Sequence, residues 1–235
     1  MSRLHILSGG AANGLVNRVQ DRFTQHTGLE VAGTFSAVGQ MKEALLAGQP
    51  CDVAILTESM IKDLCGSGHL DAGSVRRIGV VQTGLGVPQG QRAPDMNTPE
   101  QLAQALLQAD GVYMADPLKA TAGIHFMKVL RSLALEETLG PRLQPFPNGQ
   151  TAMAAMAARA SQSPAARLIG CTQVTEILNT PGVTLAALLP PQFELATPYT
   201  AAVSRKAAQP EAAAHLIALL ADAEQAALRK ACGFD

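Results

Sequence analysis

The chain has 235 residues, of which 47% are hydrophobic and 16% charged, with a formal net charge of −1. That balance excludes a disordered chain, a basic nucleic-acid groove and a polybasic membrane patch. The length suffices for one large core or for two halves of about 100 residues each.

Met1-Ser2-Arg3 runs straight into the first apolar segment, Leu4–Ser8, which reads as a strand. No leader-like segment precedes it and no apolar run has spanning length. The expectation is a cytoplasmic protein as written, periplasmic if a leader has been removed, and no membrane insertion. Ala12–His26 follows as a helix, with Leu15, Val16, Val19 and Phe23 on one face and Gly28 at its C-terminal stop. Leu29–Phe35 alternates as a half-buried strand. Ser36 is the expected N-cap of a helix over Gly39–Ala47, which Gly48 ends. Asp52–Leu56 is a short apolar strand and Met60–Leu64 a helix. This βαβαβ order implies a parallel sheet with right-handed crossovers.

The second half opens with the long β-type stretch Arg76–Pro88, "RRIGVVQTGLGVP", followed by the polar "QGQRAPDMNTP". Thr98 and Pro99 start a helix through Leu107. Then come strand Gly111–Ala115, a small-residue loop Asp116–Gly123 and a helix Ile124–Ala134. Arg142–Phe146 reads as a strand, and Pro147-Asn148-Gly149-Gln150 starts a helix through Ala158. Arg167–Cys171 is a strand and Thr172–Leu178 a short helix; Val183–Leu189 and Pro198–Val203 are β-type. Pro210–Leu220 and Glu224–Ala231 are helical. The pattern predicts an α/β protein of two lobes, residues 1–82 with 198–235 as one and 83–197 as the other.

The loop "SGGAANG" (Ser8–Gly14) is the first chemical candidate. It is not GxxxxGK[ST], and its glycines do not fit GxGxxG, so nucleotide binding is set aside. What remains is the free N–H groups and positive dipole end at a helix start, which attract an anion without a cation. The sequence offers four such starts after strands: Ser8–Asn13, Ser36–Gln40, Thr121–Gly123 and Asn148–Gln150. Two fall in each half, which predicts a shared cleft for a small anionic ligand. Cys51, Cys65, Cys171 and Cys232 form no CxxC pair and read as small reduced hydrophobes. Neither metal nor cofactor is called for, since there is no HExxH, no GxSxG and no His/Cys cluster.

The segment "LHILSGGAANGLVNRVQDRFTQHTGLEVAGTFSAVGQMKEALLAGQPCDVAIL" resembles the first lobe of type II periplasmic binding proteins, in their molybdate-binding branch. "VYMADPLKATAGIHFMKVLRSLALEETLGPRL", "PNGQTAMAAM", "LIGCTQVTEI" and the ending "AALRKACGFD" resemble later segments of the same branch. The resemblance implies a mixed, mostly parallel sheet flanked by helices in each lobe, with an oxyanion held between lobes by backbone N–H groups and hydroxyls. Carried over by position, its two loop serines fall at Ala11 and Val38, its backbone contacts at Ala122 and Gly149, and its tyrosine near Thr172. Each lost charge-assisted hydrogen bond is worth about 1.5–3 kcal/mol, which argues against molybdate. Donors in or beside the same loops are Ser8, Gly9, Gly10, Asn13, Gln40, Lys119, Thr121, Gln150 and Gln173. They suit a larger, less charged ligand such as a small organic acid.

The resemblance also implies a partner, an ABC-transporter permease, if the protein is exported. Relatives without a leader point to a second class, cofactor-independent isomerases of unsaturated acids, aconitate among them, or keto compounds. An allylic proton shift needs a base. Glu58 in "LTES" is the best-placed carboxylate; Asp116 in "ADP" reads first as turn chemistry. A domain that binds no small molecule is the third reading.

Overall fold

The computed structural model describes residues 3–235; the chain start read at Met1-Ser2 lies outside the described residues. The chain divides into two compact units, one formed by the chain up to Val81 together with Thr197–Asp235, the other by Gln82–Ala196.

In the first unit β1 (Arg3–Gly9) is followed by a 3₁₀ turn and α1 (Asn13–Thr27), then β2 (Glu30–Ser36), α2 (Val38–Leu46), β3 (Val53–Thr57) and α3 (Glu58–Gly66). The first part of β4 (Arg76–Pro88), most of β9 (Ala196–Val203), α9 (Pro210–Ala221) and α10 (Ala226–Ala231) complete it. β1 pairs in parallel with β2, from Arg3↔Glu30 to Gly9↔Ser36, and with β3, from Ile6↔Val53 to Ser8↔Ile55. β9 closes that side antiparallel to β3. The period-3.6 face of α1 buries Leu15, Val16, Val19 and Phe23 against Leu4, Ile6 and Leu216. Gly28 ends the helix at φ 69°, a left-handed conformation that costs glycine little. The buried Asp52 ties strand to helix: its Oδ2 accepts from His5 N at 2.7 Å and its Oδ1 from Gln209 N at 2.9 Å.

In the second unit the rest of β4 leads to α4 (Pro99–Gln108), β5 (Gly111–Ala115), α5 (Thr121–Ser132) and α6 (Glu136–Leu139). Then follow β6 (Leu143–Phe146), α7 (Gly149–Gln162), β7 (Leu168–Gln173), α8 (Val174–Leu178) and β8 (Val183–Leu188). β5 lies parallel to β6 and β7, while β4 runs antiparallel to β7 and β8. Apolar clusters cover both sheet faces: Leu85, Leu102, Leu106, Phe126 and Ile169 in one, Met153, Met156, Leu168 and Ile177 in the other. The central strands β5 and β7 are buried throughout, as two-sided cover requires.

The alternation read from the sequence is present, with four local differences. Ala37, not Ser36, caps α2, and the Ser36 hydroxyl instead donates to Gln40 Oε1 at 2.5 Å. Helix α5 begins at Thr121, three residues before the expected start. Strand β7 runs on through Thr172 and Gln173, which were expected in a helix. The single-turn α6 was not anticipated, being too short for a period to show. Among the described residues no helix is long and apolar enough to cross a membrane.

Candidate functional site

In each unit the parallel strands end on the same edge, and helices start there. In the first unit these are α1, α2 and α3; in the second, α5, α7 and α8. The register Gly9↔Ser36 sets the α1 and α2 starts side by side.

Around the β1–α1 turn the chain is tightly covered. A Cβ on Gly9 would come within 2.6 Å of Val38 Cγ1 and 3.0 Å of Tyr199 Cε1, so only glycine fits. Ser8 is fully buried and its hydroxyl donates to Gly9 O at 2.9 Å. Ala11 and Val38 are core residues. Gly10 and Asn13 are half-buried, and Asn13 Oδ1 accepts from Asn17 Nδ2 at 3.0 Å. Gln40 lies on the surface, engaged by Ser36. No side chain caps α1 or α2 among the described residues. Glu58 is the first residue of α3, at the same edge, and is exposed.

In the second unit Asp116 forms the expected turn, its Oδ1 accepting from Leu118 N at 2.7 Å and Lys119 N at 2.9 Å. Lys119 is exposed, Thr121 half-buried and Ala122 buried. A Cβ on Gly123 would overlap the carbonyl oxygens of Ala115 and Asp116, so glycine lets α5 start flush against the end of β5. No side chain caps α5 among the described residues.

The start of α7 is different. Asn148 Oδ1 accepts from Thr151 N at 2.8 Å, and Thr151 Oγ1 accepts from Asn148 N at 3.3 Å, closing a capping box. The remaining first-turn N–H groups, those of Gly149 and Gln150, face the carboxyl of Glu176 and favour its charged form. That carboxyl accepts from Thr172 Oγ1 at 2.5 Å, and the Gln173 N–H favours its charged form as well. Gly149, Gln150, Thr172 and Gln173 are thus brought together, around a residue that sequence reasoning passed over. Burial raises the proton affinity of Glu176; the Thr172 hydroxyl and the three N–H groups pull it back without cancelling the rise. The available signal was the spacing: Glu176 lies four residues after Thr172, between Thr175 and the apolar Ile177. Tyr199 is the other missed residue, a buried phenol from β9 lying against Gly9.

Buried hydroxyls without a hydrogen-bond partner among the described residues occur in both units: Thr83 and Thr175 in the second, Thr197 and Thr200 in the first. Thr83 pairs in register with Gln173, at the carboxyl end of β7. Such groups are rare in folded proteins.

A groove of about 820 Å³ in the first unit is lined by Arg22, His26, Arg76 and His215, with Asp222 among them. His26 and His215 stack there at 4.4 Å, and burial, then His26 and Arg22, push the His215 imidazole below its ordinary proton affinity. The groove meets α1 near its C-terminal end, where the helix presents carbonyls rather than N–H groups.

The sequence pattern of the family described as bacterial extracellular solute-binding protein matches residues 4–235. The chain belongs to that family. A Pseudomonas sp. protein named aconitate isomerase is 26% identical over 233 residues, covering 96% of this chain and 85% of that protein. The periplasmic molybdate-binding protein of Azotobacter vinelandii has a TM-score of 0.77 at 17% identity, covering 99% of each chain. The sulfate-binding protein SubI of Mycobacterium tuberculosis H37Rv has a TM-score of 0.69 at 14% identity, covering 100% of this chain and 86% of that one. These likenesses show the periplasmic-binding-protein fold that the sequence segments implied. The isomerase relative agrees with the second class that they suggested.

Proposed function

We propose that this solute-binding protein takes a small organic acid, with helix starts that lack a side-chain cap supplying the donors. The observation that supports it is the contrast among helix starts: those of α1, α2 and α5 have no side-chain cap, whereas α7 is closed by its own chain. The N–H groups and dipole of a helix start favour a negative charge. The partnerless hydroxyls of Thr83, Thr175, Thr197 and Thr200 add neutral donors suited to a carboxylate or hydroxyl oxygen. Ala11 and Val38 offer none, which disfavours a compact tetrahedral dianion. A thermal-shift screen over di- and tricarboxylates, with sulfate and molybdate beside them, tests the reading. At least one carboxylate is expected to raise the melting temperature in a concentration-dependent way; no response to any of them at millimolar concentration rejects it.

If the protein is exported, its partner is an ABC-transporter permease; if retained in the cytoplasm, the same site serves a sensor or carrier. Fractionation of the native host separates the two.

The relative named aconitate isomerase favours a second reading, proton-transfer isomerisation of an unsaturated acid. A base removes a proton from the carbon beside a carboxylate, the double bond shifts, and the proton returns at the far allylic carbon. Glu58, at the carboxyl end of β3, is the carboxylate placed for this. Incubation with aconitate in D₂O is expected to give isomerisation with deuterium incorporation, lost in Glu58→Gln. Undiminished exchange in that variant removes Glu58 from the mechanism, and no exchange in the parent protein removes the reading.

A further inference from the structure

The donors at the start of α7 can be accounted for one by one. Gly149 and Gln150 N–H face the Glu176 carboxyl, whose Oε2 lies against Gly149; Thr151 N–H reaches the Asn148 side chain, and Ala152 N–H bonds to Asn148 O at 3.1 Å. The space is as full as the donor list. A Cβ on Gly149 would overlap Thr172 Oγ1 and Glu176 Oε2. Glu176 itself is buried, on a short helix packed beside α7. This 14-residue helix therefore already holds an anion-type group, and that group belongs to the chain.

We propose that Glu176 is a specificity-determining residue: its carboxyl fills the anion seat at the amino end of α7 from within, and so excludes sulfate- and molybdate-like oxyanions while leaving an organic acid to be held elsewhere. The exclusion has two physical parts. In either protonation state the carboxyl uses donors that an entering oxyanion would need. When ionised it also repels a second negative charge at short range in a poorly screened site. The ligand class that results is a carboxylic acid whose charge rests on helix starts that lack a side-chain cap. This part rests on the function proposed above; the filled seat does not.

The test compares the parent protein with Glu176→Ala and Glu176→Gln. Each is titrated with formate, sulfate and molybdate by calorimetry and thermal shift. The parent protein is expected to give no oxyanion response at millimolar concentration. Glu176→Ala exposes a carboxylate-sized seat and is expected to bind formate, recovering lost melting temperature, and to bind sulfate or molybdate at least about tenfold more tightly than the parent. Glu176→Gln still fills the seat and is expected to exclude all three. Micromolar oxyanion binding by the parent overturns the proposal, as does a folded Glu176→Ala that responds to none of the anions. If Glu176→Ala folds only when refolded in formate, the seat is supported. If it folds under neither condition, amide resonances of the parent decide. Sulfate added to high concentration should leave Gly149 and Gln150 unmoved; their displacement overturns the proposal. The two readings separate cleanly. An anion-responsive Glu176→Ala without any organic-acid binding by the parent retains the seat and removes the organic acid. The reverse result removes the seat alone.

Discussion

A carboxyl taken out of water loses solvation that its charged form values most, and Glu176 has lost nearly all of it. Its folded proton affinity is raised, burial outweighing Thr172 and the three N–H donors. The native state therefore binds this proton more tightly than the unfolded chain does. By linkage, its contribution to stability is greatest below the unfolded value of about 4.3 and declines as pH rises toward the folded value. Urea denaturation of the parent and Glu176→Gln across that range checks the sign. The parent minus variant stability difference should fall with rising pH and then level off; a rising difference would mean that the donors outweigh burial. The neighbouring glycine gives a second prediction at this scale. Gly149→Ala forces a methyl onto Thr172 and Glu176 and is expected to cost about 1–3 kcal/mol, read as a lower urea midpoint.

Two helix starts that look alike in sequence, Ser36 before α2 and Asn148 before α7, make opposite predictions. Asn148 forms both arms of a capping box, so Asn148→Ala is expected to lose about 0.5–2 kcal/mol of stability. Ser36 caps nothing and only reaches Gln40 on the surface, so Ser36→Ala should stay within about 0.5 kcal/mol of the parent. Chemical denaturation of the two variants side by side measures the contrast. The same pair shows where sequence reading ends. The alternation of strands and helices was legible because burial repeats in sequence: Leu15, Val16, Val19 and Phe23 mark α1, and Val53–Thr57 is buried throughout. Caps are decided by where one backbone turn begins, and a shift of one residue moved the cap of α2 from Ser36 to Ala37. The loops of the candidate site were legible as small-residue strand exits, but their occupant was not. Glu176 meets Gly149 only because β7 runs to Gln173 and sets α8 against α7, a contact between residues 27 positions apart that no local pattern encodes. Tyr199 reaches Gly9 through the antiparallel β3–β9 pairing, across an even longer separation.

At the scale of the whole molecule, each unit carries its own apolar core and its own set of helix starts. A ligand that stabilises only one unit would leave the other free to open at its original free energy, since local opening follows the contacts made locally. A ligand held at the uncapped helix starts of one unit must protect that unit. Binding at a hundredfold excess over its dissociation constant adds about 2.7 kcal/mol to the state that binds it. Hydrogen exchange resolves where that energy appears. With a carboxylate found by thermal shift, slowed exchange is expected at amide groups that start α1, α2 or α5. The Gly149 and Gln150 amides, already facing Glu176, should change little. Protection confined to the first unit would show that α5 takes no part in holding the acid. Strong new protection at Gly149 and Gln150 would show that the ligand displaces Glu176, and the uncapped helix starts would then no longer define the site.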